Sequence, residues 1–236
     1  MRAFVIAMEC EAASVRPHLK PGDRLYVSGI GKVNAAAATQ RAICEGADEI
    51  WNAGLCGGFG DDIAVGDVFG VESAVEYDFD LAKLNGTRIG QLNEYETPYL
   101  EMTRVDGPRS SFLTSGKDSA SPFKAELVKP LRSGKDSASP LAFASGSREL
   151  AYRILATGDH FNDGENDYAL ITQEFGASLR DMEGAAIAHV CKKNGVKCVS
   201  VKCVTNVAGK GSMTGQFEKN MQWCLERLSA AMKELM

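Results

Sequence analysis

The sequence of 236 residues predicts a single α/β domain, with a twisted, mostly parallel central sheet flanked by helices on both faces. Three observations predict this class. Short β-rich runs alternate with helix-forming runs along the chain. The first run, residues 4–8, is continuously apolar, which is typical of a strand buried on both faces. The last run, residues 214–235, carries apolar residues at intervals of 3 and 4, which is typical of a packed helix.

The predicted elements alternate from one end of the chain to the other. Strands are predicted at residues 4–8, 25–27, 49–53, 65–75, 152–157, 178–181 and 196–204. Helices are predicted at residues 33–44, 166–175, 182–190 and 214–235. Because helices that connect strands in this way favour parallel pairing, we expect ligands to bind at the carboxyl ends of the strands.

The composition excludes several classes of protein. Lys and Arg number 26 and Asp and Glu number 31, so the formal net charge is −5, which argues against a nucleic-acid-binding surface. No apolar run approaches the ~20 residues that a membrane span needs. Seven cysteines, without Cys-x-x-Cys spacing, and three scattered histidines predict reduced thiols, no metal site and no cofactor, in a cytoplasmic protein.

The segment at residues 107–147 differs in composition from the rest of the chain. The run Ser-Gly-Lys-Asp-Ser-Ala-Ser-Pro occurs at residues 115–122 and again at 133–140. Two copies do not form a solenoid, and these residue types offer little to bury. We therefore expect a flexible Ser/Gly-rich insertion within a single domain of residues 1–236. A local duplication without function is one interpretation of it, and a lid over the site is the other.

Two glycine-rich segments follow predicted strands. Residues 28–34 read Ser-Gly-Ile-Gly-Lys-Val-Asn, similar to a dinucleotide-binding fingerprint, but Asn34 occupies the position of the third glycine. Residues 54–60 contain four glycines, which predict a turn that a ligand can approach closely. Close packing between a strand and a helix is the alternative interpretation of this second cluster.

Acidic residues follow two predicted strands. Glu9 and Glu11 come after the first strand, and Asp181 and Glu183 lie at a junction between a strand and a helix. Carboxylates that converge in a cleft can activate water and hold sugar hydroxyls. A solvated helix start is the alternative interpretation, above all for Glu9.

Six segments occur in an informative order. They are residues 7–11 (Ala-Met-Glu-Cys-Glu), 28–33 (Ser-Gly-Ile-Gly-Lys-Val), 52–58 (Asn-Ala-Gly with Gly57-Gly58), 65–67 (Val-Gly-Asp), 157–161 (Thr-Gly-Asp-His-Phe) and 181–190 (Asp-Met-Glu-Gly-Ala-Ala-Ile-Ala-His-Val). Together they resemble the methylthioadenosine/S-adenosylhomocysteine nucleosidases of the purine nucleoside phosphorylase superfamily. The resemblance implies a nucleoside phosphorylase-like fold, a homodimer, and hydrolysis of the purine–ribose bond through an oxocarbenium-like transition state. Residues 85–148 lie outside it.

The resemblance also implies roles for individual residues. Glu11 would position and deprotonate the attacking water, and Glu183 would accept hydrogen bonds from the ribose hydroxyls. The remaining contacts to the substrate would come from Met8, Gly57, Phe161 and Met182. The two methionines would pack on the sugar, and Phe161 would stack on the purine.

Two positions depart from the family's pattern. Asn206 occupies the position of the family's general acid, an aspartate, and an amide cannot give the purine a proton. It can donate to a carbonyl at the six-position of the base, so it favours a 6-oxopurine nucleoside such as futalosine or inosine. Leu55 replaces a serine, and residues 52–55 lack the Arg and Ser that the superfamily's phosphorylases use for phosphate, which favours water as acceptor.

The expected function is therefore a purine nucleoside N-glycosidase, with Glu11 and Asn206 as its catalytic residues. A purine nucleoside phosphorylase and a non-catalytic purine-nucleoside binding protein are the alternatives. His160 lies beside Phe161 and has two interpretations: it lies at the surface or packs in its loop, or it is an alternative proton donor to the departing purine. Asp159 is expected to cap or orient its turn.

Overall fold

The computed structural model describes residues 1–105, 150–161 and 167–236. Eight strands in these ranges form one sheet. They are β1 (Arg2–Ile6), β2 (Arg24–Val27), β3 (Glu49–Gly58), β4 (Val68–Glu76), β5 (Leu100–Glu101), β6 (Tyr152–Thr157), β7 (Leu179–Asp181) and β8 (Lys197–Val207). The expected insertion over residues 107–147 lies outside the described residues.

The described helices lie between these strands and after the last of them. They are α1 (Glu9–Val15), α2 (Lys32–Cys44), α3 (Ala82–Asn85), α4 (Gly184–Asn194) and α5 (Met213–Leu235), with a 3-10 turn at Arg16–His18 and a π-helical turn at Leu170–Glu174. No helix in the described ranges is long and apolar enough to cross a membrane.

The sheet is mixed, which corrects part of the predicted architecture. Five of the eight pairings among the described strands are parallel: β1–β2, β1–β3, β3–β8, β4–β6 and β6–β7. The pairings β3–β7, β4–β5 and β4–β8 are antiparallel. Strands β3, β8, β4, β6 and β7 pair in turn, and β7 returns to β3, so this part of the sheet closes on itself. The alternation of strands and helices along the chain predicts how successive strands are connected. It does not predict which strand closes a curled sheet.

Helices cover the sheet on two sides, as predicted. Alanines of α2 and α4, among them Ala35 and Ala186, are buried on one side, where the two helices pack against each other. On the other side α1 packs against α5, and Leu225 and Leu228 of α5 belong to a core that includes Phe4 and Val201. The predicted apolar stripe of the last helix therefore faces the sheet.

The glycine cluster at residues 54–60 is mostly strand, so the predicted turn is wrong. Strand β3 continues through Gly58. Glycine is needed at positions 54 and 58, because a β-carbon at either one would clash with a neighbouring side chain. A β-carbon at Gly58 would lie 2.5 Å from Cγ2 of Ile63, and one at Gly54 would lie 2.7 Å from Oε1 of Glu11. Close packing between a strand and a helix, the alternative interpretation, accounts for Gly54, whereas Gly58 is required by a loop residue and by β8.

Candidate active site

The carboxylate of Glu11 is buried and held by two backbone amides. Met8, which precedes α1, donates from its backbone N–H to Oε2 at 3.0 Å. Leu55 in β3 donates from its backbone N–H to Oε1 at 2.7 Å. Burial raises the pKa of Glu11 above its ordinary value, against the two N–H donors and the ammonium of Lys202, which lower it. A carboxylate with a raised pKa and two fixed donors is suited to act as a general base.

The side chain of Leu55 takes no part in holding Glu11. The contact to Glu11 comes from the backbone, and the leucine side chain is buried in the core between β3 and α5. Replacing the family's serine therefore removes a hydroxyl but keeps the amide that orients the carboxylate.

Lys202 lies at the centre of the acidic residues, and the sequence reasoning did not identify it. Its Nζ is 2.8 Å from Oδ2 of Asp181, and each side chain is only 2% exposed. Burial alone would lower the pKa of Lys202, but the carboxylates of Asp181, Glu183 and Glu11 hold it above its ordinary value. A lysine inside the apolar run of β8 was the available signal, since a buried lysine requires a partner.

Asp181 is fixed by two further donors besides its ion pair. The hydroxyl of Thr157 donates to Oδ1 at 2.6 Å, and the backbone N–H of Gly184 donates to Oδ2 at 2.9 Å. The N–H of Ala185 donates in turn to the Thr157 hydroxyl at 2.9 Å. These contacts tie the end of β6 to the start of α4, and so fix the backbone on both sides of Glu183.

Glu183 immediately precedes α4, and its carboxylate reaches the loop between β2 and α2. The backbone N–H of Gly31 donates to Oε1 of Glu183 at 2.8 Å. Burial, then the nearby charge of Asp181, raises the pKa of Glu183 to about 7, while Lys202 and the Gly31 amide oppose the shift. Glu183 is therefore partly protonated at neutral pH, and any hydroxyl that donates to it favours the ionised form.

The glycine-rich loop that resembles a dinucleotide-binding fingerprint is occupied by the protein's own carboxylates. Gly31 donates to Glu183, and the next amide, that of Lys32 at the start of α2, donates to Oδ1 of Asp159 at 2.8 Å. Asp159 therefore caps the N-terminus of α2, a distant helix, whereas the sequence predicted that it would cap or orient its own turn. With these amides taken, a pyrophosphate would have to displace two carboxylates, which argues against the dinucleotide alternative.

Asn206 lies near the end of β8, against Gly57 of β3. A β-carbon on Gly57 would be 3.2 Å from Nδ2 of Asn206 and 3.3 Å from Cε of Met213. Nδ2 donates to Sδ of Met213 at 3.3 Å, and the Thr205 hydroxyl donates to Oδ1 at 2.6 Å. Asn206 is 2% exposed, so a ligand reaches its amide only if Met213 moves aside.

The remaining expected site residues are Phe161, Met8 and Met182, and His160 is the alternative proton donor. Phe161 is half exposed, and its ring lies 5.8 Å from that of Phe217 in an edge-on arrangement. Met8 and Met182 are partly buried. Nε2 of His160 lies 2.7 Å from Oδ2 of Asp167, within hydrogen-bond distance. The described contacts thus tie Glu11 and Asn206 to β3, and Glu183 to the loop before α2. His160 contacts Tyr77 and Asp167 instead, and Phe161 contacts Phe217.

Comparison with known proteins identifies the family. The model of the phosphorylase superfamily matches residues 24–236, and the chain belongs to this superfamily. A methylthioadenosine/S-adenosylhomocysteine nucleosidase of Treponema pallidum is 34% identical over 195 residues, which cover 78% of this chain and 66% of that protein. The corresponding nucleosidase of Bacillus pumilus is 29% identical over 190 residues, which cover 80% and 69%. The resemblance of the six segments is therefore confirmed.

Two solved structures show the same fold. Futalosine hydrolase of Helicobacter pylori superposes with a TM-score of 0.74 at 19% identity, covering 99% of this chain and 96% of that one. An aspartate-to-asparagine mutant of the nucleosidase from the same species, with 5′-methylthioadenosine in its active site, gives a TM-score of 0.74 at 19% identity and the same coverage.

The buried lysine leads to a prediction about stability. Lys202→Met should lower the free energy of unfolding by about 3–5 kcal/mol, because it leaves buried carboxylates without their counter-charge. The loss should be larger at pH 8 than at pH 5.5, since protonation of the carboxylates relieves it. Urea denaturation measures both values.

Lys197→Met, on the exposed start of the same strand, is the matched control. Equal and small losses in the two variants would contradict the role given to Lys202.

Proposed function

We propose that this protein is a purine nucleoside N-glycosidase that transfers ribose to water. The supporting observation is that two buried carboxylates, Glu11 and Glu183, lie close enough to the buried ammonium of Lys202 to interact with its charge, while Asp181 pairs with it directly. Their arrangement matches what the reaction needs: a base for water, acceptors for the ribose hydroxyls, and negative charge beside a cationic sugar. The related nucleosidases of Treponema pallidum and Bacillus pumilus support the same reaction class.

Glu11 takes the role of general base. Its two oxygens accept one backbone N–H each, which leaves further lone pairs for a water molecule. Because these donors fix the carboxylate, the water is held without loss of orientation when the bond to the purine breaks.

Glu183 takes the role of ribose ligand. Oε1 of Glu183 accepts from the backbone N–H of Gly31, which leaves Oε2 to accept from a ribose hydroxyl. Hydroxyl donors favour the ionised carboxylate, and the ionised form in turn stabilises positive charge that develops on the sugar. Met8 and Met182 pack on the sugar and Phe161 stacks on the purine in this proposal, with Gly57 giving the base room to approach Asn206.

Asn206 reads the six-position of the base. Its Nδ2 faces Gly57 and Met213, so once Met213 moves it can donate to a 6-oxo group, and Oδ1 can accept from a protonated imidazole nitrogen. A 6-oxopurine nucleoside, such as futalosine or inosine, is therefore the proposed substrate. Adenine nucleosides would offer an amino group to the amide NH2, which places two donors against each other.

Water is favoured over phosphate as the acceptor. The position at which the superfamily's phosphorylases carry arginine is Asn52, whose amide donates to the Val5 carbonyl at 3.1 Å and accepts from the Ser200 hydroxyl at 3.2 Å. Lys202 is paired with Asp181, and Lys32 is paired with Asp78 at 2.6 Å. Phosphate would have to compete with carboxylates for either lysine.

The experiment that tests this proposal follows release of free base by chromatography. Methylthioadenosine, S-adenosylhomocysteine, adenosine, inosine, guanosine and futalosine are each incubated with the protein, with and without phosphate. We expect release of a 6-oxopurine at a rate that phosphate does not change. Release that requires phosphate would identify a phosphorylase, and a raised melting temperature without release would identify a binding protein.

The role of Glu11 has a matched control on the same helix. Glu11→Gln should lower kcat by about 100-fold or more, because a positioned general base contributes at least that much. Glu9→Gln should leave kcat unchanged, since Glu9 is exposed and pairs with Arg16. A Glu11→Gln variant with the wild-type kcat would remove Glu11 from the mechanism.

A further inference from the structure

A β-bulge near the end of β8 brings Thr205 and Asn206 together. The register of β3 against β8 runs from Cys56 opposite Val204 to Gly57 opposite Asn206, so Thr205 has no partner. Neighbouring side chains of a regular strand point to opposite faces of the sheet. The bulge changes this direction, so that Oγ1 of Thr205 lies 2.6 Å from Oδ1 of Asn206.

Helix α5 holds the backbone around the bulge. Asn220 donates from Nδ2 to the carbonyl of Thr205 at 3.0 Å. Gln216 accepts from the backbone N–H of Val207 at 3.0 Å and donates to the carbonyl of Val207 at 3.1 Å. Since the backbone is tied on both sides of Asn206, rotation of its amide is the remaining freedom.

Two contacts decide which end of the amide faces Gly57. A separation of 2.6 Å is typical of a hydroxyl that donates to an oxygen, and is shorter than most N–H···O bonds. At the other end, the thioether of Met213 can accept from an NH2 group but offers nothing to a carbonyl oxygen. Both contacts assign Oδ1 to the Thr205 side and Nδ2 to the side of Gly57.

We propose that Thr205 is the positioning residue that sets the base preference: its hydroxyl holds Oδ1 of Asn206 and so presents the NH2 group to a 6-oxo group. This inference rests on the proposed function, because it concerns the amide that reads the six-position. Without the hydroxyl the amide can turn over and present Oδ1, which accepts from a 6-amino group. Thr205 is 1% exposed and acts only through Asn206.

The hydroxyl has a second neighbour, which the experiment has to take into account. Oγ1 of Thr205 is also 3.1 Å from the carbonyl oxygen of Cys56. The hydroxyl has a single proton, and the shorter separation assigns that proton to Oδ1 of Asn206. Removing the hydroxyl nevertheless changes the contact with the backbone of β3. Such a structural effect would change the rates with all substrates together. The ratio of kcat/KM between two nucleosides that differ only at the six-position is insensitive to it.

The test measures this ratio in variants at position 205. The nucleosides are inosine and adenosine, or futalosine and its 6-amino counterpart, whichever pair the wild type cleaves faster. Thr205→Val should lower the 6-oxo to 6-amino ratio by about three- to tenfold, the equivalent of one neutral hydrogen bond. Thr205→Ser keeps the hydroxyl and should keep the wild-type ratio. Thr205→Ala replaces the valine variant if that one does not fold.

Asn206→Asp separates a failure of this inference from a failure of the proposed function. If Asn206→Asp lowers the ratio while Thr205→Val and Thr205→Ser both leave it unchanged, Thr205 does not orient the amide, although Asn206 still reads the base. An equal fall in the Val and Ser variants would also exclude the hydroxyl as the cause. If the wild type releases no base, or Asn206→Asp leaves the ratio unchanged, the proposed function fails and the role of Thr205 fails with it.

Discussion

One buried ammonium, that of Lys202, lies among three buried carboxylates that come from two distant parts of the chain. Glu11 belongs to α1, Asp181 to β7, and Glu183 to the start of α4. Burial penalises all four charged groups. The attraction between Lys202 and the carboxylates, together with the fixed N–H and O–H donors, offsets this penalty. Removing the one cation would leave the acids to repel each other. Lys202 therefore stabilises the arrangement in which α1, the end of β7 and the start of α4 lie together.

The same charge balance suits the proposed chemistry. Three carboxylates and one ammonium leave an excess of negative charge when all are ionised, and a sugar that becomes cationic would neutralise part of it. The cost in the free protein is visible at Glu183, whose pKa burial and Asp181 raise to about 7. Hydroxyl groups of a ligand would offset this by donating hydrogen bonds to the ionised carboxylate of Glu183. The negative field is thus most favourable when the substrate carries positive charge, which is the condition for accelerating the bond cleavage.

Local features of this fold could be predicted from the sequence, and long-range pairings could not. Strand β6 and helix α2 follow from apolar runs and helix-forming residues. The acids near the ends of β1 and β7 were identified from their position at predicted strand ends, and the resemblance to the nucleosidases supplied their expected roles. The closure of the sheet through β7 depends on pairing between distant strands, and periodicity carries no information about it. Thr205 could not be identified from the sequence, because a bulge is a difference in register between two strands. Lys202 was not identified either, although a lysine in an apolar run was a signal that could have found it. The homodimer, the cytoplasmic location and the insertion stay predictions.

The most direct test of the central claim is the pKa of Glu183, measured by NMR on protein labelled with ¹³C at the glutamate side-chain carboxyl. Glu183→Gln identifies the resonance by its disappearance, and Lys202→Met removes the cation. We expect a pKa of about 7 in the wild type and a higher value in Lys202→Met, because the lysine favours the ionised carboxylate. A pKa near the ordinary 4.5, unchanged by Lys202→Met, would contradict the account of a carboxylate cluster organised around Lys202.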